Sequence, residues 1–316
     1  MKTDAKIFVA LSTFAQHGKK PLSLLQESGI SFKLNETKRR LSRDEIIQHA
    51  KDCQGIIAGV EPYDAYVLNQ LPQLECISRC GVGIDNIDLD TAKKKKIEIR
   101  RTPEAVIQPV VELTVAMAFD LLRRLSLQTI TMKQKKWQKI TGNLMKGKCI
   151  GVLGLGRIGK RVAEYFVKLG TKVKGTDLQP DQAWAARTGV QLVSLDQLLG
   201  TSDILTIHIS WDVNAPFCLS QAEFRQMKKG AYLINVSRGQ LVNEKALYEA
   251  LQSQHLSGAA LDVYPEEPYT GKLCEAENVV LTSHVATLTE ESRFQMELEA
   301  TQNLLDYLCQ SKQPVR

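Results

Sequence analysis

Short apolar runs alternate with amphipathic stretches along most of the chain. Residues 7–11, 31–34, 55–58 and 76–79 read as strands. Between them, residues 21–27 read as a helix with proline in its first turn, and residues 42–50 as a helix opened by the capping box Ser42-Arg43-Asp44-Glu45. A longer helix is expected over residues 109–124, where Val111, Val115, Ala118 and Leu122 recur at helical spacing, and a second helical stretch over 129–139. Strand–helix alternation restarts at Cys149 and runs to about Val285. Strands are expected at 149–153, 171–175, 204–207, 231–236, 258–262 and 279–282, with a further capping box at Ser220-Gln221-Ala222-Glu223. Residues 290–310 read as one amphipathic helix. Alternation of this kind predicts parallel sheets covered by helices.

A length of 316 residues exceeds one ordinary core, and the sequence shows no internal repeat and no low-complexity linker. The layout predicts two doubly wound α/β domains, the second inserted into the first. Residues 1–100 and 286–316 form the outer one and residues 101–285 the inner one, with the last helix returning to the outer.

Within the inner domain, strand–helix alternation starts on Cys149-Ile150-Gly151-Val152-Leu153-Gly154-Leu155-Gly156-Arg157-Ile158-Gly159. This is a buried strand, a glycine-rich turn and a helix start, and Gly154, Gly156 and Gly159 complete G-x-G-x-x-G. The pattern permits a tight turn, close approach of backbone to a pyrophosphate, and close packing of helix on strand. The helix N-terminus adds unpaired N–H groups and a positive dipole end. Asp177 closes the next strand 18 residues after Gly159. That is near the ~20 expected of a carboxylate that accepts hydrogen bonds from an adenosine ribose. A carboxylate there repels a 2′-phosphate, so the residues favour NAD over NADP.

Composition narrows the class. A hydrophobic fraction of 43% and a charged fraction of 24% are those of a globular protein. Residues 1–6 are polar and lead straight into a strand, which argues against a signal peptide. The most apolar stretch, residues 110–122, is broken by Glu112 and Asp120, which argues against a membrane span. Seven cysteines without C-x-x-C or zinc spacing suit reduced thiols in the cytoplasm, with no metal site. The net charge of +6 includes four consecutive lysines at 93–96, with Arg100 and Arg101 beyond. No aromatic residues interleave, so the run reads as the exposed end of a helix rather than a nucleic-acid contact. The same balance helps to attract a small anion.

Three further positions follow strands of the inner domain, where open parallel sheets bind their ligands. Asn235-Val236-Ser237-Arg238-Gly239 offers a guanidinium fork for a carboxylate. Asp262 and Glu267 lie in Leu261-Asp262-Val263-Tyr264-Pro265-Glu266-Glu267-Pro268, and His284 follows Thr282-Ser283. Taken singly, these read equally well as a surface arginine, an acidic turn and a structural histidine. Together they supply Arg238, Glu267 and His284 at successive strand ends after a dinucleotide fingerprint, the set that hydride transfer on a 2-hydroxy acid needs. The arginine holds the carboxylate, the histidine exchanges the hydroxyl proton, and the acid orients the histidine and favours its imidazolium form.

With these motifs in place the chain resembles the D-isomer-specific 2-hydroxyacid dehydrogenase family, most closely its 3-phosphoglycerate dehydrogenase branch. The resemblance runs through Arg79-Cys80-Gly81-Val82-Gly83-Ile84-Asp85-Asn86-Ile87-Asp88, Val111-Glu112-Leu113-Thr114, the glycine turn, and the three strand-end segments. It implies a Rossmann NAD-binding domain inserted into a flavodoxin-like substrate domain. It implies Arg238, Glu267 and His284 as the catalytic set. It places Thr102, Gly154, Gly156, Arg157, Ile158, Gly159, Asp177, His208, Val236, Ser237 and Asp262 near the cofactor. Gly81, Val82 and Gly83 match the family's substrate-carboxylate cradle, and Arg79 matches a position near the substrate in the phosphoglycerate branch. The resemblance further implies a homodimer formed through helices near 104–140 and a cytoplasmic role in serine biosynthesis, and the C-terminal regulatory domain that some phosphoglycerate dehydrogenases carry is not expected here.

Several positions depart from the family pattern. Ser210 and Ala215 replace a proline and a threonine in an unusual loop at 211–217, the segment Val106-Ile107-Gln108-Pro109 is more apolar, and Ala286 stands for a glycine. The catalytic set is intact, but these changes fall where substrate and nicotinamide are expected. 3-Phosphoglycerate is the first expectation, and hydroxypyruvate, glyoxylate or another 2-oxo acid the alternative. An NAD-sensing corepressor of the same architecture is an alternative of another class.

Overall fold

The computed structural model describes residues 5–212 and 214–310; the polar opening at residues 1–4 lies outside the described residues, as does Val213 of the 211–217 loop. The strands are β1 (Lys6–Val9), β2 (Ser31–Leu34), β3 (Gly55–Ala58), β4 (Cys76–Arg79), β5 (Glu98–Arg100), β6 (Cys149–Leu153), β7 (Lys172–Thr176), β8 (Gln191–Leu192), β9 (Ile204–Ile207), β10 (Ala231–Asn235), β11 (Leu256–Leu261) and β12 (Val279–Leu281). The helices are α1 (Lys20–Glu27), α2 (Arg43–Ala50), α3 (Ala65–Asn69), α4 (Leu89–Lys94), α5 (Ile107–Arg123), α6 (Leu125–Lys133), α7 (Arg157–Lys168), α8 (Gln182–Thr188), α9 (Leu195–Thr201), α10 (Gln221–Gln226), α11 (Glu244–Gln252) and α12 (Glu290–Gln310).

Packing divides the chain into two units, Met1–Val106 with Leu288–Arg316, and Ile107–Thr287. The junctions thus fall a few residues beyond the expected 100/101 and 285/286. Val111, Met117, Ala118 and Leu122 of α5 bury against the second unit's sheet core, so the whole helix belongs there.

The first unit is a parallel sheet in the order β2-β1-β3-β4-β5, the flavodoxin-like arrangement. Central β3 reads Gly-Ile-Ile-Ala and is buried at every position, as a parallel strand covered on both faces requires. Phe8, Ile46, Ile56, Val67, Leu68, Leu71 and Ile77 form one core cluster on one side. On the other side α12 lies close on the sheet. Ser78 Oγ donates to the Ala300 carbonyl at 2.7 Å, and a Cβ on Gly55 would stand 2.8 Å from Leu304 Cδ1.

The second unit is a seven-stranded parallel sheet in the order β12-β11-β10-β9-β6-β7-β8, a Rossmann arrangement with one further strand. α5 and α7 pack on one face around Val152, Val162, Phe166, Ile204 and Ile234. Leu198, Phe224, Leu247 and their neighbours cover the other face. No helix among the described residues is long and apolar enough to cross a membrane, and no cluster of metal-ligating side chains occurs among them.

Two expectations need correction. The helix expected over 129–139 runs instead over Leu125–Lys133. Arg124 (φ 53°) breaks it from α5 and Lys135 (φ 61°) ends it, and the lysine-rich run beyond has no apolar stripe to bury. The short strands β5 and β8 were not foreseen, because three and two residues carry too little periodicity.

Candidate active site

The glycine turn leaves β6 at Leu153. Gly154 takes φ 95°, a conformation that side chains rarely adopt, and α7 begins at Arg157 with Gly156 as its N-cap. Gly159 sits directly under the turn: a Cβ there would lie 1.9 Å from the Gly154 carbonyl oxygen. Above Gly156, by contrast, a Cβ would meet nothing within 4 Å. The turn is therefore closed against its own helix and open toward solvent at the α7 N-terminus, where Arg157 is exposed and Ile158 half-buried. This geometry fits a pyrophosphate held by backbone N–H groups. Asp177 follows β7 and is drawn onto the turn, its Oδ2 accepting from the Leu155 N–H at 2.6 Å and its Oδ1 from the Gln179 N–H at 2.9 Å. His208, one residue past β9, lies against Gly159. Its N–H donates to the Leu153 carbonyl at 2.7 Å, and its Nε2 pairs with Thr206 Oγ1 at 2.8 Å. Burial pushes its pKa down to about 3, so the imidazole is neutral.

Arg238, Glu267 and His284 follow β10, β11 and β12, three neighbouring strands of one sheet. His284 Nδ1 lies 2.9 Å from Glu267 Oε2 and 3.2 Å from Oε1. A carboxylate only accepts, so Nδ1 carries the proton and Nε2 is left for a substrate. Both side chains are partly open to solvent, at 49% and 38%. His284 holds φ 57°, and Asp262 pins the strained segment. The buried Asp262 carboxylate accepts from Thr282 Oγ1 (2.6 Å) and from the Val285 (2.8 Å) and Ala286 (2.9 Å) N–H groups. Glu267 is itself steadied by the Tyr264 N–H, at 3.2 Å, and precedes a cis Glu267–Pro268 bond.

Arg238 is shaped by its loop. Asn235 Nδ2 donates to the Arg238 carbonyl at 2.8 Å, and Arg238 Nη1 donates to the Ser237 carbonyl at 2.7 Å. Ser237 Oγ donates to the Ile207 carbonyl at 2.7 Å, while Val236 is buried in the core. The next residue must be glycine, because a Cβ on Gly239 would stand 1.9 Å from the Tyr264 carbonyl carbon.

In the first unit, Arg79 ends β4 and its guanidinium donates to the Cys80 carbonyl. Gly81 takes φ 134° and is clamped by Thr102. Its N–H donates to Thr102 Oγ1 at 2.8 Å, and its carbonyl accepts from the Thr102 N–H at 3.1 Å. Thr102 is fully buried and backs the turn; with the Gly81 N–H committed to it, Val82 and Gly83 supply the turn's remaining N–H groups.

Sequence reasoning missed four contributors. Asn235 and Tyr264 shape the Arg238 and Glu267 loops, Tyr269 stacks on Tyr264 at 4.2 Å, and Glu61 is buried at the end of β3. Glu61, an acid three residues past a strand, carried a local signal; Asn235 is the last residue of β10, and the two tyrosines carried none.

Comparison with known proteins follows the same lines. Residues 115–286 match the family model described as D-isomer specific 2-hydroxyacid dehydrogenase, NAD binding domain. A D-3-phosphoglycerate dehydrogenase from Pongo abelii is 36% identical over 274 residues, covering 85% of this chain and 51% of that protein. The chain thus spans about half the length of the phosphoglycerate dehydrogenases it matches. A glyoxylate reductase from Thermofilum pendens is 34% identical over 279 residues, covering 84% of this chain and 82% of that one. Among solved structures, a D-lactate dehydrogenase from Aquifex aeolicus complexed with NAD and lactic acid superposes with a TM-score of 0.82. It is 27% identical and is covered to 96%, as is this chain.

Proposed function

Because the chain belongs to the D-isomer specific 2-hydroxyacid dehydrogenase family, we propose that it interconverts a small D-2-hydroxy acid and its 2-oxo acid with NAD. The observation that carries this reading is the His284–Glu267 pair, 2.9 Å apart, one strand away from the Arg238 loop in the sheet that also bears the glycine turn.

NAD supplies the hydride acceptor in the oxidative direction and, when reduced, the donor. The α7 N-terminus with Gly154, Gly156, Arg157, Ile158 and Gly159 takes its pyrophosphate, and Asp177 its adenosine ribose, which selects against a 2′-phosphate. The neutral His208 with Val236, Ser237 and Asp262 completes the second unit's surroundings of the cofactor. The chain's own residues do the remaining work. In oxidation His284 Nε2 takes the hydroxyl proton, and Glu267 balances the imidazolium that forms. In reduction the same proton returns to the carbonyl oxygen. Arg238 grips the carboxylate and polarises the carbonyl. In the first unit the Val82 and Gly83 N–H groups are those left to meet an anion.

Relatives of similar identity are named for 3-phosphoglycerate and for glyoxylate, so family membership alone supports either acid. The experiment is turnover of NADH against a panel of 2-oxo acids, with His284→Ala alongside. The variant should lose roughly 10²–10⁴-fold in kcat while still binding NADH. Full turnover by the variant would sink the assignment.

A further inference from the structure

The C-terminal ends of β3 and β4 hold a group of side chains that hydride transfer does not use. Ala58 registers with Arg79, and the Cys80 N–H donates to the Ala58 carbonyl at 2.9 Å, so the loops leaving the two strands run side by side. Asn86 ties them into one knot. Its Nδ2 donates to the Gly59 carbonyl at 3.2 Å and the Glu61 carbonyl at 2.5 Å, and its own carbonyl accepts from the Tyr63 N–H at 2.7 Å. Glu61 is only 3% exposed in this knot, with Oε2 accepting from the Gly59 N–H at 2.8 Å. On the adjoining loop the Arg79 guanidinium lies against the glycine turn, where a Cβ on Gly81 would come within 2.7 Å of Nη1.

The charges act on each other. Burial raises the pKa of Glu61, while backbone N–H groups, Arg79 and the exposed Arg40 pull it back. Tyr63 is fully buried, and its hydroxyl has no hydrogen-bonding partner among the described residues. Burial lifts the Tyr63 pKa well above its usual value, Glu61 lifts it further and Arg79 opposes.

We propose that Glu61 sets the substrate class by balancing the charge of Arg79 beside the Gly81–Gly83 turn, so that the acid taken is an unphosphorylated 2-oxo or 2-hydroxy acid rather than a phosphate ester. The inference rests on the reading above that the chain reduces and oxidises such acids. Arg79 alone would present a fork matched to a phosphate dianion. With a buried carboxylate in the same knot, a dianion meets a like charge that salt screens poorly. An uncharged hydrogen, methyl or hydroxymethyl group meets no such repulsion. The expectation of 3-phosphoglycerate came from the branch resemblance and from Arg79 read without Glu61 beside its loop.

The test compares kcat/KM for hydroxypyruvate and its 3-phosphate ester, with NADH, in the full chain and in Glu61→Gln, which keeps an oxygen for the Gly59 N–H. The wild type should favour the unphosphorylated acid by about tenfold or more, and Glu61→Gln should shift the ratio toward the phosphate ester by a similar factor. A merely structural role would slow both acids alike and leave the ratio in place. Wild-type preference for the ester, or a ratio that Glu61→Gln does not move, overturns the proposal; the wild-type ratio decides by itself if the variant does not fold. Calorimetric binding of each acid to the NADH-saturated protein separates the two readings. Glu61-dependent selectivity in binding without turnover removes the hydride-transfer reading and keeps this one. Turnover of both acids with an unmoved ratio does the reverse, and binding of neither acid removes both.

Discussion

His284 sits at φ 57°, where a side chain other than glycine's is strained by about 1–3 kcal/mol. The conformation persists because both Asp262 oxygens hold the residues just beyond it, and it keeps Nδ1 on Glu267. Gly159 illustrates the opposite device, a residue whose missing side chain makes room. Gly159→Ala puts a methyl 1.9 Å from a backbone oxygen that cannot step aside. We expect the variant to lose about 1–3 kcal/mol or more of stability in urea unfolding and most of its NADH affinity in a fluorescence titration. An alanine variant that binds NADH normally would show that the turn does not work as described. Gly154, Gly156, Gly159 and Asp177 were legible in the sequence because a strand, turn and helix next to one another in the chain carry the whole signal. Glu61 was not legible as a neighbour of the Arg79 loop, because the two loops are brought side by side by the register of β3 on β4.

At the scale of elements, capping fixes where several helices begin. Ser42 Oγ accepts from the Glu45 N–H while Glu45 Oε2 accepts from the Ser42 N–H, and Glu223 reaches back to the Ser220 N–H in the same way. α5 and α6 are different. α5 buries one stripe, yet Phe119, Leu125, Ile130, Met132, Trp137 and Leu144 along and after these helices remain exposed, Trp137 to 82%. Apolar exposure of this extent fits the homodimer that the family resemblance implies, with a second copy of the chain as its cover. Light scattering should give twice the chain mass. Ile130→Glu with Trp137→Glu should halve it and leave NADH binding in place; a wild-type monomer would overturn the expected dimer. The periodicity of α5 was readable, but the ends of α6 were not. They depend on left-handed residues at Arg124 and Lys135, types with no marked preference for that conformation.

At the scale of the whole molecule, stability should depend on pH through His208. Its ordinary pKa of 6.5 falls to about 3 on folding because burial disfavours the cation. Between these values the unfolded chain binds a proton that the folded one refuses, so stability rises with pH across the window and is fully present above about 6.5. His208→Gln should flatten that slope in urea unfolding measured from pH 4 to pH 7. An unchanged slope would mean that the imidazole stays solvated.

The sequence by itself determined the two parallel-sheet units, the dinucleotide turn and the positions of Arg238, Glu267 and His284 just past successive strands. Each follows from short-range patterns: buried runs, glycine spacing, and polar residues just past strand ends. Tertiary structure decided what those residues touch. It placed Asp262 as the anchor of the His284 segment, gave the Gly81 N–H to Thr102, and set Glu61 in the knot beside Arg79. Such pairings depend on strand register and loop closure between residues far apart in the chain, and neither leaves a trace in local composition.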